Sequence, residues 1–170
     1  MRIHAARLYV SPRTRPLTAE ERETRRLAYA LKADPPDPDT LDTAAAEMAR
    51  LIDGPCWLVP VPTSAGGNGP NLALARMIAK HVRGARVAPH LVRTRPVPSS
   101  SARHRAKLGA IAVEDHALIR RGPMLELRPL YFVDNVATSG NTLEASHRAF
   151  GFGAGLVFAD AAPPPLRIGP

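Results

Sequence analysis

Short, almost entirely apolar runs that alternate with helical patterns constrain the fold of this chain more than any other feature. Residues 56–61, 130–133 and 155–159 form such runs. A run of this length without polar alternation is typical of a strand buried on both faces, because helices need longer segments and half-exposed strands alternate. The sequence therefore predicts an α/β fold, in which helices flank a parallel twisted sheet.

The segments between these runs supply the connections that a parallel sheet requires. Pro70 is a favourable first residue for a helix, apolar residues then recur at helical spacing, and a second strand is predicted over residues 86–92. Strand, loop, helix and strand in this order make a parallel crossover unit. Residues 108–128 indicate only short strands and a turn, and a last helix is predicted over residues 142–150.

The chain is expected to have three parts. Residues 1–55 predict a helical N-terminal extension, residues 56–162 form the sheet-containing core, and residues 163–170 form a Pro-rich surface tail. In the extension, the capping-box pattern of Thr18 and Glu21 predicts an arginine-rich first helix. A second helix is expected after a proline-rich connector, because prolines cannot continue a helix.

The second helix needs a cap and a stop signal of its own. The connector spans residues 35–38, and Asp39 or Thr40 is expected to cap the helix that follows. Gly54 is expected to end it, because glycine is favoured just beyond a helix C-terminus.

Composition and charge limit the class of partner. Apolar residues make up 45% of the 170 residues, which is too many for a disordered chain. The net charge of +8 suits an anionic partner, either nucleic acid or a phosphate-rich small molecule. A coding bias towards arginine accounts for the charge equally well, so charge alone does not choose between these partners.

The cysteine and histidine content argues against a structural metal and a disulfide. Cys56 is the single cysteine, and the 6 histidines are scattered without metal-ligand spacing. We therefore expect a reducing, cytoplasmic setting. No apolar run reaches the length of a membrane span and the N-terminus lacks a secretory pattern, so no membrane partner is expected.

The stretch over residues 130–142 carries the clearest chemistry. Asp134 follows a buried strand, and a loop of small and hydroxyl residues then leads into a helix. In a parallel sheet, ligands bind at the carboxyl ends of the strands. The free amides at the start of the following helix favour a phosphate. An aspartate beside a phosphate cradle makes sense only if it faces sugar hydroxyls or a bound cation. The stretch therefore predicts a pocket for a sugar-linked phosphate.

This stretch resembles the phosphoribosyl pyrophosphate (PRPP) motif of type I phosphoribosyltransferases, an apolar strand followed by two acidic residues and Thr-(Ser/Thr)-Gly-x-Thr. Asp134 matches the first acidic position, and Asn135 stands at the second, where it brings hydrogen bonds but no charge. The resemblance implies the type I phosphoribosyltransferase fold over roughly residues 56–160. The PRPP-binding residues that it implies are Asp134, Asn135, Ala137, Thr138, Ser139, Gly140, Asn141 and Thr142.

Two further segments agree with the family in order and spacing. The segment after the first core strand is similar to the pyrophosphate loop, and its residues are Pro62, Thr63, Ser64, Ala65, Gly66 and Gly67. Residues 93–107 take the place of the flexible catalytic loop. The chain looks most similar to the competence-associated ComF branch in three runs: Val59-Pro60-Val61-Pro62, Asn71-Leu72-Ala73-Leu74-Ala75, and Arg93-x-Arg95-Pro96 before Arg103-x-Arg105. The N-terminal zinc-binding cysteines of that branch are absent here, so residues 1–55 would form a different helical hood.

The resemblance implies transfer of ribose 5-phosphate from PRPP to a nitrogen base or amine, with Mg²⁺ and with release of pyrophosphate. Its implied catalytic residues are Asp134, Lys107, Arg103 and Arg105, the three basic residues closing over the leaving group. Asp134 would contact the metal only indirectly, through ribose or water. The partners are then PRPP and a nitrogenous acceptor, and the fold commonly forms homodimers.

Other interpretations of the same residues stay open. Asp134 is also consistent with a cap on the loop after a strand, and the hydroxyl residues over 138–142 with ordinary helix caps. The alternative function is a non-catalytic protein of the same fold that binds nucleic acid or senses nucleotides, favoured by the +8 charge and by Asn135. A hydrolase or phosphatase that uses the same pocket is a third interpretation, but the sequence offers neither a nucleophile nor a metal cluster for it.

Overall fold

A five-stranded parallel sheet organises the computed structural model, which describes residues 1–11, 15–99, 102–103 and 106–161. In the order β1-β7-β6-β2-β3, its strands are β1 (Ile3–Leu8), β7 (Ala154–Asp160), β6 (Leu130–Ala137), β2 (Trp57–Pro60) and β3 (Arg86–Val87). The strands β4 (Leu91–Arg93) and β5 (Leu118–Arg120) form a separate antiparallel pair. The predicted tail over 163–170 lies outside the described residues.

Helices cover both faces of the sheet, which confirms the predicted α/β class. They are α1 (Ala19–Ala30), α2 (Pro38–Ala49), α3 (Gly69–His81) and α4 (Asn141–Phe150). The first three pack on one face, while α4 and the β4–β5 pair pack on the other. Within the described ranges, no helix has both the length and the apolar character that a membrane span needs.

Neighbouring residues of the central strands alternate between the two apolar clusters. Leu58 and Val133 pack with α1, α2 and α3, whereas Val59 and Phe132 pack with α4, and all four side chains are 0% exposed. Side chains that follow one another in a strand point to opposite faces of its sheet. Burial on both faces therefore explains why these strands are continuously apolar in the sequence.

The cap of the first helix is as predicted from the sequence, whereas the cap of the second helix is a different residue. Thr18 and Glu21 form the predicted capping box at the start of α1. The N-cap of α2 is Asp37, whose carboxylate accepts a hydrogen bond of 2.9 Å from the Thr40 amide, and not Asp39 or Thr40 as predicted. Pro38 can begin the helix because the first helical residue needs no amide hydrogen.

The prediction of a purely helical segment over residues 1–55 is wrong at β1. This strand pairs in parallel with β7, from Ile3 opposite Gly155 to Leu8 opposite Asp160, and it forms one edge of the sheet. Most of its residues are only half-buried, so its sequence lacks the apolar run that marks β2 and β6. Edge position, with one neighbour instead of two, is the physical reason why the strand was not recognised.

The predicted second strand over residues 86–92 is divided in two. Val87 pairs with Leu58 of the main sheet, whereas Leu91 begins β4 and pairs with Arg120 of β5. Pro89 lies between the two pieces and has no amide hydrogen to donate to a ladder. This division turns the chain away from the main sheet, so that Arg93 at the end of β4 reaches the cavity at the carboxyl edge of the sheet.

A methionine pair tests whether the N-terminal helices belong to the same cooperative core as the sheet. Met48 of α2 is 0% exposed, whereas Met124 is 71% exposed. Met48→Ala is expected to lower the free energy of unfolding by about 2–5 kcal/mol in a single urea transition, because it leaves a cavity in the shared cluster. Met124→Ala should change it by less than about 0.5 kcal/mol. Two separate transitions would contradict a shared core.

Candidate functional site

A cavity of about 440 Å³ lies at the carboxyl edge of the parallel sheet, around the ends of β2 and β6. Its wall combines the loop after β2, the loop after β6, parts of residues 93–111, and the side chains of Tyr9 and Lys32. The predicted site residues that line it are Pro62, Thr63, Ser64, Arg103, Asp134, Asn135, Ala137, Thr138, Ser139, Gly140 and Thr142. The fold thus brings the two predicted phosphate loops to one cavity.

Strand β6 extends further than the apolar run predicts, and this extension carries the acidic residue. Asp134 pairs with Val157 and Val136 pairs with Ala159, while Asn135 between them has no partner in the register. Only Thr138, Ser139 and Gly140 remain as a loop before α4. Asp134 therefore sits on a strand that pairs with β7 at this point, and not on a loop.

The Asp134 carboxylate is fixed by two hydrogen bonds to one of its oxygens. Its Oδ1 accepts from the Asn135 amide at 2.8 Å and from Asn71 Nδ2 at 3.1 Å. Asn71 is 5% exposed, and its Nδ2 also donates to the Val61 carbonyl at 2.8 Å. Because both bonds end on Oδ1, Oδ2 is the oxygen that a ligand can use.

Burial makes the Asp134 carboxylate energetically costly in its charged form. Desolvation raises the pKa of Asp134 above its ordinary value. The hydrogen bonds from Asn135 and Asn71 oppose this shift, as do the positive charges of Lys32 and Arg93. A carboxylate kept at such a cost in a cavity wall is a candidate ligand-binding group.

Asn135 contributes donors to the cavity, because its oxygen is already used. Its side-chain Oδ1 accepts a hydrogen bond of 2.7 Å from the Val136 amide. The carboxamide NH₂ is then the part that remains for a ligand, and it can donate to a sugar hydroxyl. A second acidic residue here would place a second negative charge directly beside Asp134.

The start of α4 offers backbone amides to the cavity. Gly140 is the N-cap, with a φ of 75° that favours glycine, and as a glycine it has no side chain to cap the helix. The Asn141 amide donates to Ser139 Oγ at 3.4 Å. The other amides of the first turn and the helix dipole favour an anion at this point. Glu144 lies in the same turn, but its carboxylate already faces the Met1 amino group at 3.7 Å and Arg148 at 3.5 Å.

The side chain of Asn141 does not line the cavity. Its Nδ2 donates to the Ile111 carbonyl at 2.8 Å and so ties the start of α4 to the segment before the 3₁₀ turn Val113–His116. The role of Asn141 in PRPP binding stays a prediction, which would rest on its place as the first residue of α4.

Only the first half of the predicted pyrophosphate loop faces the cavity. Ala65, Gly66 and Gly67 are not among the lining residues. The loop closes on itself, since the Thr63 amide donates to the Gly67 carbonyl at 2.7 Å and the Gly66 amide donates to the Thr63 carbonyl at 3.0 Å. The glycines thus shape the turn that presents Thr63 and Ser64.

Arg93 is an anchor of the site that the sequence assigned to a mobile loop. At the end of β4, its guanidinium donates to the carbonyls of Thr63 at 2.9 Å, Pro62 at 3.3 Å and His116. Burial lowers the pKa of Arg93, and Asp134 acts in the opposite direction. The segment predicted to be mobile over 93–107 is therefore held at its first residue.

The predicted basic loop over residues 93–107 reaches the cavity with a second described cation besides Arg93. Arg103 lines the cavity, and its Nε donates to the Gly109 carbonyl at 2.6 Å. Lys107 is exposed and is not part of the wall, so its predicted catalytic position is not supported. Arg105 lies outside the described residues. Lys32 of the N-terminal segment takes a place at the cavity that sequence reasoning missed.

The cavity residues Tyr9, Lys32 and His116 were not predicted from the sequence. They come from elements far away in the chain, follow no local pattern and reach the site only through tertiary packing. Asn71 and Arg93 stand in segments that resemble the family, but their contacts at the site were not predicted. Asn71 offered a signal, because it interrupts an apolar helix face with an amide.

The residues present fit a magnesium ion that arrives with its substrate. Among the described residues, no cluster of three His, Cys, Asp or Glu could hold a metal alone, and Asp134 is the one carboxylate on the wall. Mg²⁺ commonly keeps several waters and binds through one or two carboxylates plus substrate phosphates. Such an ion would meet Asp134 through ribose or water.

The fold and the site define an α/β protein with a cavity, lined by polar and apolar residues, at the carboxyl edge of a parallel sheet. No family model matches the chain, and no curated protein matches it with significant similarity. The function is therefore inferred from the residues around the cavity.

The desolvated charge of Asp134 is expected to lower the free energy of unfolding of the native protein at neutral pH. The unfolded carboxyl ionises near pH 4 and the folded one at higher pH, so stability falls as pH rises through this window and stays low above it. Asp134→Asn is therefore expected to raise the free energy of unfolding at pH 7.5. The gain should vanish near pH 4 in urea titrations. An equal gain from the exposed control Asp53→Asn would contradict this origin.

Proposed function

We propose that this protein is a phosphoribosyltransferase of the type I fold, in a ComF-like branch, that transfers ribose 5-phosphate from PRPP to a nitrogen base or amine. The observation that carries the proposal is the Asp134 carboxylate, held by Asn71 at the end of β6 beside the uncapped start of α4. A group suited to ribose hydroxyls and a cradle suited to a phosphate thus share one cavity. Its volume of about 440 Å³ lies in the range of small-molecule sites.

The architecture is compatible with this proposal. The motif strand β6 occupies the centre of the five-stranded parallel sheet, with β2 on one side and β7 on the other. Loops after adjacent parallel strands meet at the same edge, so a ligand held after β6 also reaches the loop after β2. In this proposal, β1, α1 and α2 form the hood, and they contribute Tyr9 and Lys32 to the cavity.

The proposed chemistry breaks the bond between the anomeric carbon and the pyrophosphate oxygen while the acceptor nitrogen bonds to that carbon. The transition state has oxocarbenium character, as in glycoside chemistry. An ionised Asp134 holds the ribose hydroxyls and stabilises the positive charge that develops on the sugar. Burial raises the pKa of Asp134 and so favours its neutral form. Ligand contacts to the charged form act in the opposite direction and favour ionisation.

The leaving pyrophosphate needs donors and positive charge. Thr63 and Ser64 offer hydroxyls after β2, and Arg103 and Lys32 offer charge at the cavity. Arg93 keeps these donors in place through its bonds to Pro62 and Thr63. Mg²⁺ bound with PRPP would neutralise part of the pyrophosphate charge.

Magnesium-dependent binding of PRPP, measured by isothermal titration calorimetry, tests this function. The wild-type protein is expected to bind PRPP with Mg²⁺, and Asp134→Ala is expected to weaken binding at least tenfold, since a charged hydrogen bond contributes about 1.5–3 kcal/mol. Arg103→Ala should also weaken binding, by about tenfold. Lys107→Ala is the matched control and should have little effect, because its side chain does not line the cavity. No binding of PRPP at millimolar concentration would refute the proposal.

A second candidate is a non-catalytic protein of this fold that binds nucleic acid or senses nucleotides. Two observations favour it: Asn135 has no negative charge to offer, and the basic side chains of Lys32, Arg93 and Arg103 outnumber the one carboxylate on the described wall. In that case a labelled oligonucleotide should be retarded in gels, with an affinity that falls steeply between 50 and 200 mM salt, roughly as a high power of the salt concentration. Weak retardation at all salt concentrations argues against it.

A further inference from the structure

The side-chain carboxamide of Asn71 has one atom that plays no part in the contacts described above, its oxygen Oδ1. The amide nitrogen Nδ2 carries two hydrogens, and it donates to the Val61 carbonyl at 2.8 Å and to Asp134 Oδ1 at 3.1 Å. A backbone carbonyl can only accept, so the nitrogen must face Val61 and the oxygen must face another way. Among the described residues, none donates a hydrogen bond to Asn71 Oδ1.

This oxygen belongs to a buried residue but keeps access to the cavity. Asn71 is 5% exposed, and it lines the cavity wall. In the described part of the chain, the buried side-chain atoms that lack a partner and are closed off from solvent are Asn68 Oδ1, His90 Nδ1 and the two ring nitrogens of His116. Asn71 Oδ1 is not one of them, so it is an unpaired acceptor that is open to the cavity. A nearly buried acceptor without a partner is costly and calls for an explanation, and a ligand that donates to it is one.

A second open acceptor lies on the side chain that Asn71 contacts. The two hydrogen bonds to the Asp134 carboxylate both end on Oδ1, and Oδ2 is likewise unpaired and not closed off in the described part of the chain. Because Asn71 Nδ2 bonds directly to Asp134 Oδ1, the remaining oxygens of the two side chains belong to the same part of the cavity wall. Neighbouring acceptors of this kind suit a ligand with two neighbouring hydroxyl donors.

We propose that Asn71 is a sugar-binding residue, whose Oδ1 accepts a hydrogen bond from one hydroxyl of a vicinal diol while Asp134 Oδ2 accepts from the other. The inference rests on the proposed function, since the diol in question is that of the ribose ring of PRPP. Asn71 then supplies the second acceptor that Asn135 does not. The Asn135 oxygen already accepts from the Val136 amide at 2.7 Å, so its carboxamide has only hydrogens left to offer.

The position of Asn71 makes this acceptor ready before a ligand arrives. Asn71 lies in the first turns of α3, and its bond to the Val61 carbonyl holds the carboxamide at the end of β2. The oxygen therefore needs no rearrangement to meet a hydroxyl, and little conformational entropy is lost on binding.

Two separate acceptors predict two separate discriminations between sugars. A site built to bind a hydroxyl rejects the analogue that lacks it, because the acceptor in the wall then stays unpaired. The protein should therefore reject both the 2-deoxy and the 3-deoxy form of ribose 5-phosphate. Only one of these discriminations depends directly on Asn71, and the other depends on Asp134.

Calorimetry with ribose 5-phosphate and its 2-deoxy and 3-deoxy analogues, with and without Mg²⁺, tests the inference. The wild-type protein is expected to bind each analogue about fivefold to tenfold more weakly than ribose 5-phosphate. Asn71→Ala should bind ribose 5-phosphate about tenfold more weakly and should no longer distinguish it from one of the two analogues, while the other discrimination remains. Asn68→Ala is the matched control, because Asn68 also has an unpaired Oδ1 at the start of α3 but does not line the cavity. It should keep the affinity and both discriminations.

Three results of this titration overturn the inference while the proposed function stands. If Asn71→Ala keeps both discriminations, its oxygen does not contact the diol. If it loses both to the same degree, Asn71 acts only by orienting Asp134. If its effect appears only with Mg²⁺ and is equal for all three sugars, the oxygen serves a metal ion.

A second measurement does not depend on a variant that folds. The side-chain carbonyl carbon resonance of Asn71 in the wild-type protein, followed by NMR, should shift when ribose 5-phosphate is added and with only one of the two deoxy analogues. A resonance that stays unchanged, or that shifts equally with all three sugars, overturns the inference. The same follows if ribose 5-phosphate does not bind at millimolar concentration, and the proposed function falls with it only if PRPP also fails to bind.

Discussion

The amide of Asn71 is the contact on which the geometry of the site depends. It donates to the Val61 carbonyl at the end of β2 and to the Asp134 carboxylate on β6, so one side chain of α3 fixes the ends of two neighbouring strands. A buried carboxylate is tolerable only if hydrogen bonds stabilise its charged form. Without this amide, Asp134 would keep its desolvation and lose half of its hydrogen bonds.

Arg93 is the second residue that fixes the geometry of the cavity, because it holds part of the wall. Its guanidinium joins the loop after β2 to the end of the 3₁₀ turn through the carbonyls of Thr63 and His116. Because all of these partners are backbone atoms, the anchor is insensitive to the side chains of the loop. The cation is thus largely committed to structure, and Lys32 and Arg103 are better placed to meet a mobile anion.

The sequence anticipated those parts of the molecule that local patterns determine. The buried strands β2, β6 and β7, the helices around them and the capping box of α1 follow from apolar runs and cap chemistry. The predicted end of β6 is too early, because Asp134 looks like a loop residue until β7 pairs with it. The partnership of Asn71 with Asp134 spans 63 positions, a distance over which periodicity carries no information. The family resemblance supplied the residues around Asp134, but it could not indicate which cations the fold brings to the cavity.

The pairing of β1 with β7 joins the first strand of the chain to the last strand of its described part. Ile3 lies opposite Gly155, and a side chain on Gly140 would meet Ile3 Cδ1 at 3.4 Å, so the first strand also packs close to the loop before α4. Parallel pairing between such distant segments is slow, since the loop between them must close first. During synthesis on the ribosome, the sheet beside the cavity is therefore completed only after β7 has emerged, and until then β1 has no strand to pair with.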